Sequence, residues 1–100
     1  MGKESDWKKF NSMIVQVRES YLAEQNKKLA ELLKGTTRTE TERFWDTFKR
    51  IKEVSYILSD CLEDNSRSRM EIQIRRMLIV RMLSSEDLQC FSEELRAKLE

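Results

Sequence analysis

Apolar residues recur at intervals of three and four along almost the whole chain, the spacing that gathers side chains on one face of an α-helix. Trp7, Phe10, Ile14, Val17 and Tyr21 make one such stripe, and Val15, Leu22, Leu29 and Leu33 make a second beside it. Together they predict a first helix from about Ser5 to Lys34. Ser5 would cap it, Asp6 suits its first turn, and Gly35 would end it in the left-handed conformation. At 1.5 Å per residue that helix would be about 45 Å long. This is long for a domain of 100 residues, so its end is expected to project or to pair with another copy. A break near Gln25–Lys28, where the first stripe lapses, is the alternative.

Thr39-x-x-Glu42 reads as a capping box that opens a second helix. Phe44, Phe48, Ile51, Val54, Leu58, Cys61 and Leu62 form its inner face, and it ends near Asp64–Asn65. A third helix is expected from Ser66 or Ser68, with Ser68-x-x-Glu71 as a second capping box. Its end, Met77 to Leu83, is apolar almost all round, the mark of a central or interface helix. A fourth helix opens at Ser84 or Ser85 and carries the stripe Leu88, Phe91, Leu95 and Leu99. The fold class is therefore all-α: one domain over residues 1–100, a bundle of about four helices with a long N-terminal helix.

Composition agrees with this pattern. The chain has no proline and only two glycines, 39% hydrophobic residues and eight aromatics. A domain this small buries only about 60–65% of its unfolded surface, which makes self-association a plausible supplement to a modest core. Formal net charge is +1, far from both the acidity of a nucleic-acid mimic and the basicity of a non-specific nucleic-acid binder. The charge is nonetheless uneven. Five arginines (67, 69, 75, 76, 81) stand against Glu71 alone between Asn65 and Leu83, and five acids stand against two bases from Ser84 onward.

Histidine is absent, which removes the usual neutral-pH base and the commonest metal ligand. Cys61 and Cys90 form no CxxC pair and read as small buried hydrophobes. No glycine-rich phosphate loop, nucleophile elbow or metalloprotease motif is present, and no stretch carries a family signature. We expect no enzyme, no cofactor and no metal. The opening MGKESD has no apolar stretch and the longest apolar run is far too short to span a membrane, so the expected location is cytoplasmic, with no membrane partner.

Three constellations could carry function. Trp45, Lys49, Lys52 and Tyr56 share one face of the second helix, rotated from its core stripe. Amphipathic aromatics interleaved with lysines suit a protein contact or a single-stranded nucleic acid; alternatively the face packs internally under lysine stems. Arg69, Arg75 and Arg76 of the third helix invite an anion or nucleic-acid contact, but their azimuths scatter, and Arg81 would fall on an apolar face beside Met70, Ile74 and Met77. Pairing with acids of the second and fourth helices is the favoured account of them. Asn11, Arg18 and Gln25, seven apart between the two stripes of the first helix, could set the register of a helical dimer or snorkel to solvent. An arginine-pocket enzyme would require Arg18 and Arg81 to converge on a cavity.

The reading that follows is a non-enzymatic protein–protein interaction module: a small adaptor, regulator or inhibitor that docks on a larger protein. A homodimer through the first or third helix is a secondary expectation. A nucleic-acid-binding regulator, using the third-helix arginines or the Trp/Lys face of the second helix, is the runner-up.

Overall fold

The computed structural model describes residues 4–99; Met1–Lys3, part of the leader reading, and Glu100, one of the acids counted above, lie outside the described residues. Four helices are present: α1 (Glu4–Lys34), α2 (Glu40–Leu62), α3 (Met70–Ile79) and α4 (Glu93–Leu99), with 3₁₀ turns at Arg67–Arg69 and Glu86–Cys90 and no strand among the described residues. This is a helical bundle with a long first helix, and α1 is continuous through Gln25–Lys28. No described helix is long and apolar enough to cross a membrane.

The capping box of α2 forms as its residues require. Thr39 Oγ1 accepts from the Glu42 N–H at 3.1 Å, and Glu42 Oε1 accepts from the Thr39 N–H at 3.0 Å. These bonds to Thr39, through backbone first and side chain second, hold the Glu42 carboxyl below its ordinary value. The end of α1 is made differently from expectation. Gly35 has no positive φ; the last carbonyls of α1 are taken by arginines of the following segment, with Arg43 Nη1 donating to Leu33 O at 3.0 Å and Arg38 Nη2 to Leu32 O at 3.4 Å. Ser5 lies within α1 and is not its cap.

Helices α1 and α2 form an antiparallel hairpin, and the remaining elements cover only one end of it. At that head end, Phe10 and Ile14 of α1, Cys61 and Leu62 of α2, and Met70, Ile74 and Met77 of α3 make one core, closed by Leu83, Phe91 and Leu95. Polar ties lock it. Gln73, fully buried, donates to Glu63 O at 2.9 Å and accepts from Asn65 at 3.2 Å, pinning the turn after α2 to α3. Asp6, also fully buried, accepts from the N–H and hydroxyl of Ser92, both at 2.7 Å, and so fastens the start of α4 to the start of α1. Arg67 forks onto Glu4 at 2.9 and 2.8 Å while its guanidinium lies 5.4 Å from the Trp7 ring.

The third and fourth helices are shorter than their apolar patterns predicted. At the end of α3, the N–H of Met82 returns to Met77 O at 2.8 Å and that of Arg81 to Leu78 O at 3.2 Å, with Arg81 at φ 65°. This is a Schellman closure with arginine in the place glycine usually takes. It removes Arg81 from the apolar face on which a continuing helix would have put it, and it lets Leu83 turn into the core. The second capping box does not form: Arg69 precedes α3 without a side-chain cap, and Glu71 pairs with Arg75 at 3.1 Å. The expected fourth helix is interrupted at Phe91–Ser92, where Ser92 Oγ accepts from the Leu95 N–H at 3.2 Å and restarts the chain as α4. The interruption buries both Phe91 and Leu95. Cys61 is buried as expected and burial pushes its thiol up, but Cys90 is exposed; both are free.

Candidate functional site

The hairpin beyond the head is an arm with no third layer. From residue 22 to residue 53 the only buried side chains are Gln25 and Thr47, both polar. Gln25 accepts from Arg50 Nη2 at 2.8 Å and Thr47 donates to Arg43 O at 2.6 Å. Only the first of these crosses between the helices, the second lying within α2; together with the bond from Arg43 to Leu33 O it ties the arm, where no apolar side chain is buried. The molecule is accordingly elongated, 52 × 23 × 22 Å.

This corrects the expected inner face of α2. Its C-terminal half (Val54, Cys61, Leu62) is buried, but its N-terminal half is not: Phe44 is 57% exposed, Phe48 45% and Ile51 48%. The cause is length. Helix α1 rises through about 46 Å, α3 through about 15 Å and α4 through about 10 Å, so the two short helices cannot reach the arm.

The exposed aromatics are organised. Trp45 meets Phe44 edge-on at 4.9 Å between centroids and Phe48 edge-on at 5.7 Å, the geometry favoured by ring quadrupoles. Lys52 Nζ sits 5.7 Å from the Phe48 centroid. Trp45 itself is 57% exposed and Tyr56 68%, and Lys49 and Lys52 are exposed as well. Of the predicted constellation, Trp45 and Lys52 come together through Phe48, while Lys49 and Tyr56 flank them without a ring contact. Phe44 and Phe48 join this surface although their spacing pointed to the core.

Beside the aromatic ladder lies a groove of about 260 Å³ between α1 and α2. Leu22 and Leu29 of α1 face Ile51 and Leu58 of α2 across it, and none of its lining residues is charged. Leu33 of α1, and Phe48 and Phe44 of α2, continue the same stripes toward the tip and are also exposed. Val15, lower on the α1 stripe, is exposed too.

The other predicted positions are dispersed. Arg69 donates to Asp64 O at 3.2 Å, Arg75 bonds Glu71 and the Lys98 carbonyl, and Arg76 stands 3.9 Å from Asp60. These arginines converge on no common surface. Within the Asn11, Arg18, Gln25 row only Gln25 is buried, and its partner Arg50 belongs to the same chain; Asn11 is exposed and Arg18 half-buried. Arg81 lines a cavity of about 390 Å³ with Tyr21 and Arg50, and Arg18 is not part of that lining. Burial in that wall raises the Tyr21 hydroxyl above its ordinary value, against the opposing charge of Arg50. Among the described residues no three acids or cysteines gather into a metal-binding group.

No protein-family model matches the chain, and neither a curated protein nor a solved structure is similar to it.

Proposed function

We propose that the protein is a non-enzymatic interaction module, a small adaptor, regulator or inhibitor that docks on a larger protein through the exposed face of its helical arm. The observation that carries this reading is the aromatic ladder Phe44, Trp45 and Phe48, about half exposed on an arm that no other described element covers. Large rigid aromatics at such a site are the side chains that dominate interface energetics. Leaving them in water lowers the stability of an already small domain, a cost that a partner's surface would offset. The head, with its polar ties at Asp6, Gln73 and Arg67, would serve as the anchor that keeps the arm straight.

The test is affinity capture from a native lysate with tagged wild type, Trp45→Ala and Tyr56→Ala, with and without nuclease, at two salt concentrations. A discrete protein retained through nuclease and salt, and released by Trp45→Ala, is the expected result. Loss of everything on nuclease treatment, with binding that falls steeply as salt rises, would replace this reading with the nucleic-acid one.

A further inference from the structure

The other face of the hairpin carries a site of different chemistry. Where the arm leaves the head, the cavity of about 390 Å³ opens between α1, α2 and the turn that ends α3. Gln25 stands between it and the apolar groove and lines both. On α1, Tyr21, Glu24 and Lys28 fall on one side of Gln25 by helical spacing, and Leu22, Asn26 and Leu29 on the other. The groove is lined by no charged residue; the cavity is lined by Arg50 and Arg81, with Tyr21 beside them and Ile57 and Val80 as an apolar wall. Its volume falls within the about 300–1,000 Å³ of small-molecule sites.

Arg81 has no internal use. Its side chain makes no ion pair or hydrogen bond among the described residues, and its backbone, at φ 65°, holds a place in the closing turn that favours glycine. Arg50 is oriented in advance. Gln25 Oε1 accepts from its Nη2 at 2.8 Å, and Glu53 accepts from its Nη1 at 3.2 Å, so little order is lost when a further acceptor arrives. Tyr21 is 8% exposed, and its hydroxyl makes no hydrogen bond among the described residues. A hydroxyl so deep gains from an acceptor brought into the cavity. Burial raises it above its ordinary value, which keeps it a donor at neutral pH. The charges leave a surplus of one: Glu24 stands 3.6 Å from Lys28, Glu53 3.2 Å from Arg50, and Arg81 is left over.

We infer that this cavity binds a small organic monocarboxylate, its carboxylate taken by Arg81, Arg50 and the Tyr21 hydroxyl and its apolar body by Ile57 and Val80. The inference goes beyond the docking reading and does not rest on it. A planar carboxylate matches the guanidinium fork and carries the one charge that is unmatched. A phosphate monoester carries about −1.5 to −2 at neutral pH; its second charge would find no unmatched cation in the lining, and Glu24 and Glu53 would oppose it.

The probe is 3-phenylpropanoate, titrated into the full-length protein at physiological salt and followed by backbone amide chemical shifts and by calorimetry. Saturable shifts at Tyr21, Arg50, Val80 and Arg81, with a Kd of about 0.1–1 mM, are the expected result. Acetate has the charged head alone and 3-phenylpropan-1-ol the apolar body alone; each should bind at least about tenfold more weakly. Arg81→Gly and Arg81→Asn both place at that turn a residue that accepts the left-handed backbone. Each should weaken the acid about tenfold without lowering the thermal midpoint, so the loss cannot come from unfolding. Tyr21→Phe keeps the buried ring and should weaken the acid about threefold. No saturable shift up to about 10 mM acid, equal affinity for acid and alcohol, or an affinity that neither Arg81 variant changes would overturn the inference. So would tighter binding of 3-phenylpropyl phosphate than of the acid, because the site would then be one for a phosphate monoester. A protein captured through Trp45 by a chain that binds no acid would leave the interaction-module reading standing and this inference refuted.

Discussion

Phe48→Ala separates an arm that stands in water from one that is covered. By spacing Phe48 belongs to the inner face of α2, and truncating a core phenylalanine costs about 3–5 kcal/mol. The structure leaves it 45% exposed, so just over half of its surface is removed from water. Full burial of such a side chain contributes about 1.5–3 kcal/mol, and the covered share is therefore about 1–1.5 kcal/mol. The edge contact with Trp45 at 5.7 Å adds about 0.5 kcal/mol. The expected loss is about 2 kcal/mol, against about 3–5 kcal/mol for Phe10→Ala, whose ring is fully buried. Urea unfolding followed by far-ultraviolet circular dichroism measures both; tryptophan fluorescence is the wrong probe, because Phe48 touches Trp45. A loss above about 3 kcal/mol for Phe48→Ala would refute the reasoning. It would mean that the ring is covered in solution, and a dependence of that loss on protein concentration would identify the cover as another copy.

Three further outcomes follow from single features of the head and its turns. Arg81→Gly should stabilise the protein by about 0.5–1 kcal/mol, because it relieves a left-handed arginine at φ 65° whose side chain makes no ion pair or hydrogen bond among the described residues; a thermal midpoint at or below wild type would contradict this. Asp6→Ala should cost about 2–4 kcal/mol by leaving the Ser92 N–H and hydroxyl without their acceptor, and hydrogen exchange should quicken first in α4. Stability should fall in acid. The Arg67 hydrogen bond holds Glu4 below its ordinary value, and Thr39 does the same for Glu42. Each contribution is whole above the ordinary carboxylate value and drains as pH drops through the lowered native one, so the stability gap between wild type and Glu4→Gln should close over that interval in urea titrations.

Helix number, helix type and the boundaries of the hairpin were legible because they depend on local physics. The 3-4-3-4 stripe of α1 and the Thr39–Glu42 box are satisfied within a few residues of chain, and both form as the pattern predicts. The failures are places where a distant contact wins. Gly35 had the composition of a left-handed terminator, but Arg38 and Arg43 supplied donors for the same carbonyls. Ser84 and Ser85 had the composition of a cap. The segment after them breaks at Ser92 because Asp6, 86 positions away, accepts its N–H. The apolar run Met77–Leu83 could not say which of its residues would leave the helix; burying Leu83 required the chain to turn, and Arg81 bears the backbone conformation of that turn.

The candidate surface was half legible for a related reason. Trp45 and Lys52 were marked by an amphipathic pattern that faces away from the core stripe, and they are exposed. Phe44, Phe48 and Ile51 were not, because an apolar stripe records that a face avoids water without recording what covers it. The decisive quantity is a mismatch of lengths. Helix α2 carries apolar positions over 23 residues, whereas α3 and α4 together span 17 and sit at one end. The apolar stripe of the hairpin is longer than the layer this chain provides for it. The unmatched part of that stripe is the surface that leaves Phe44, Phe48 and Ile51 half in water.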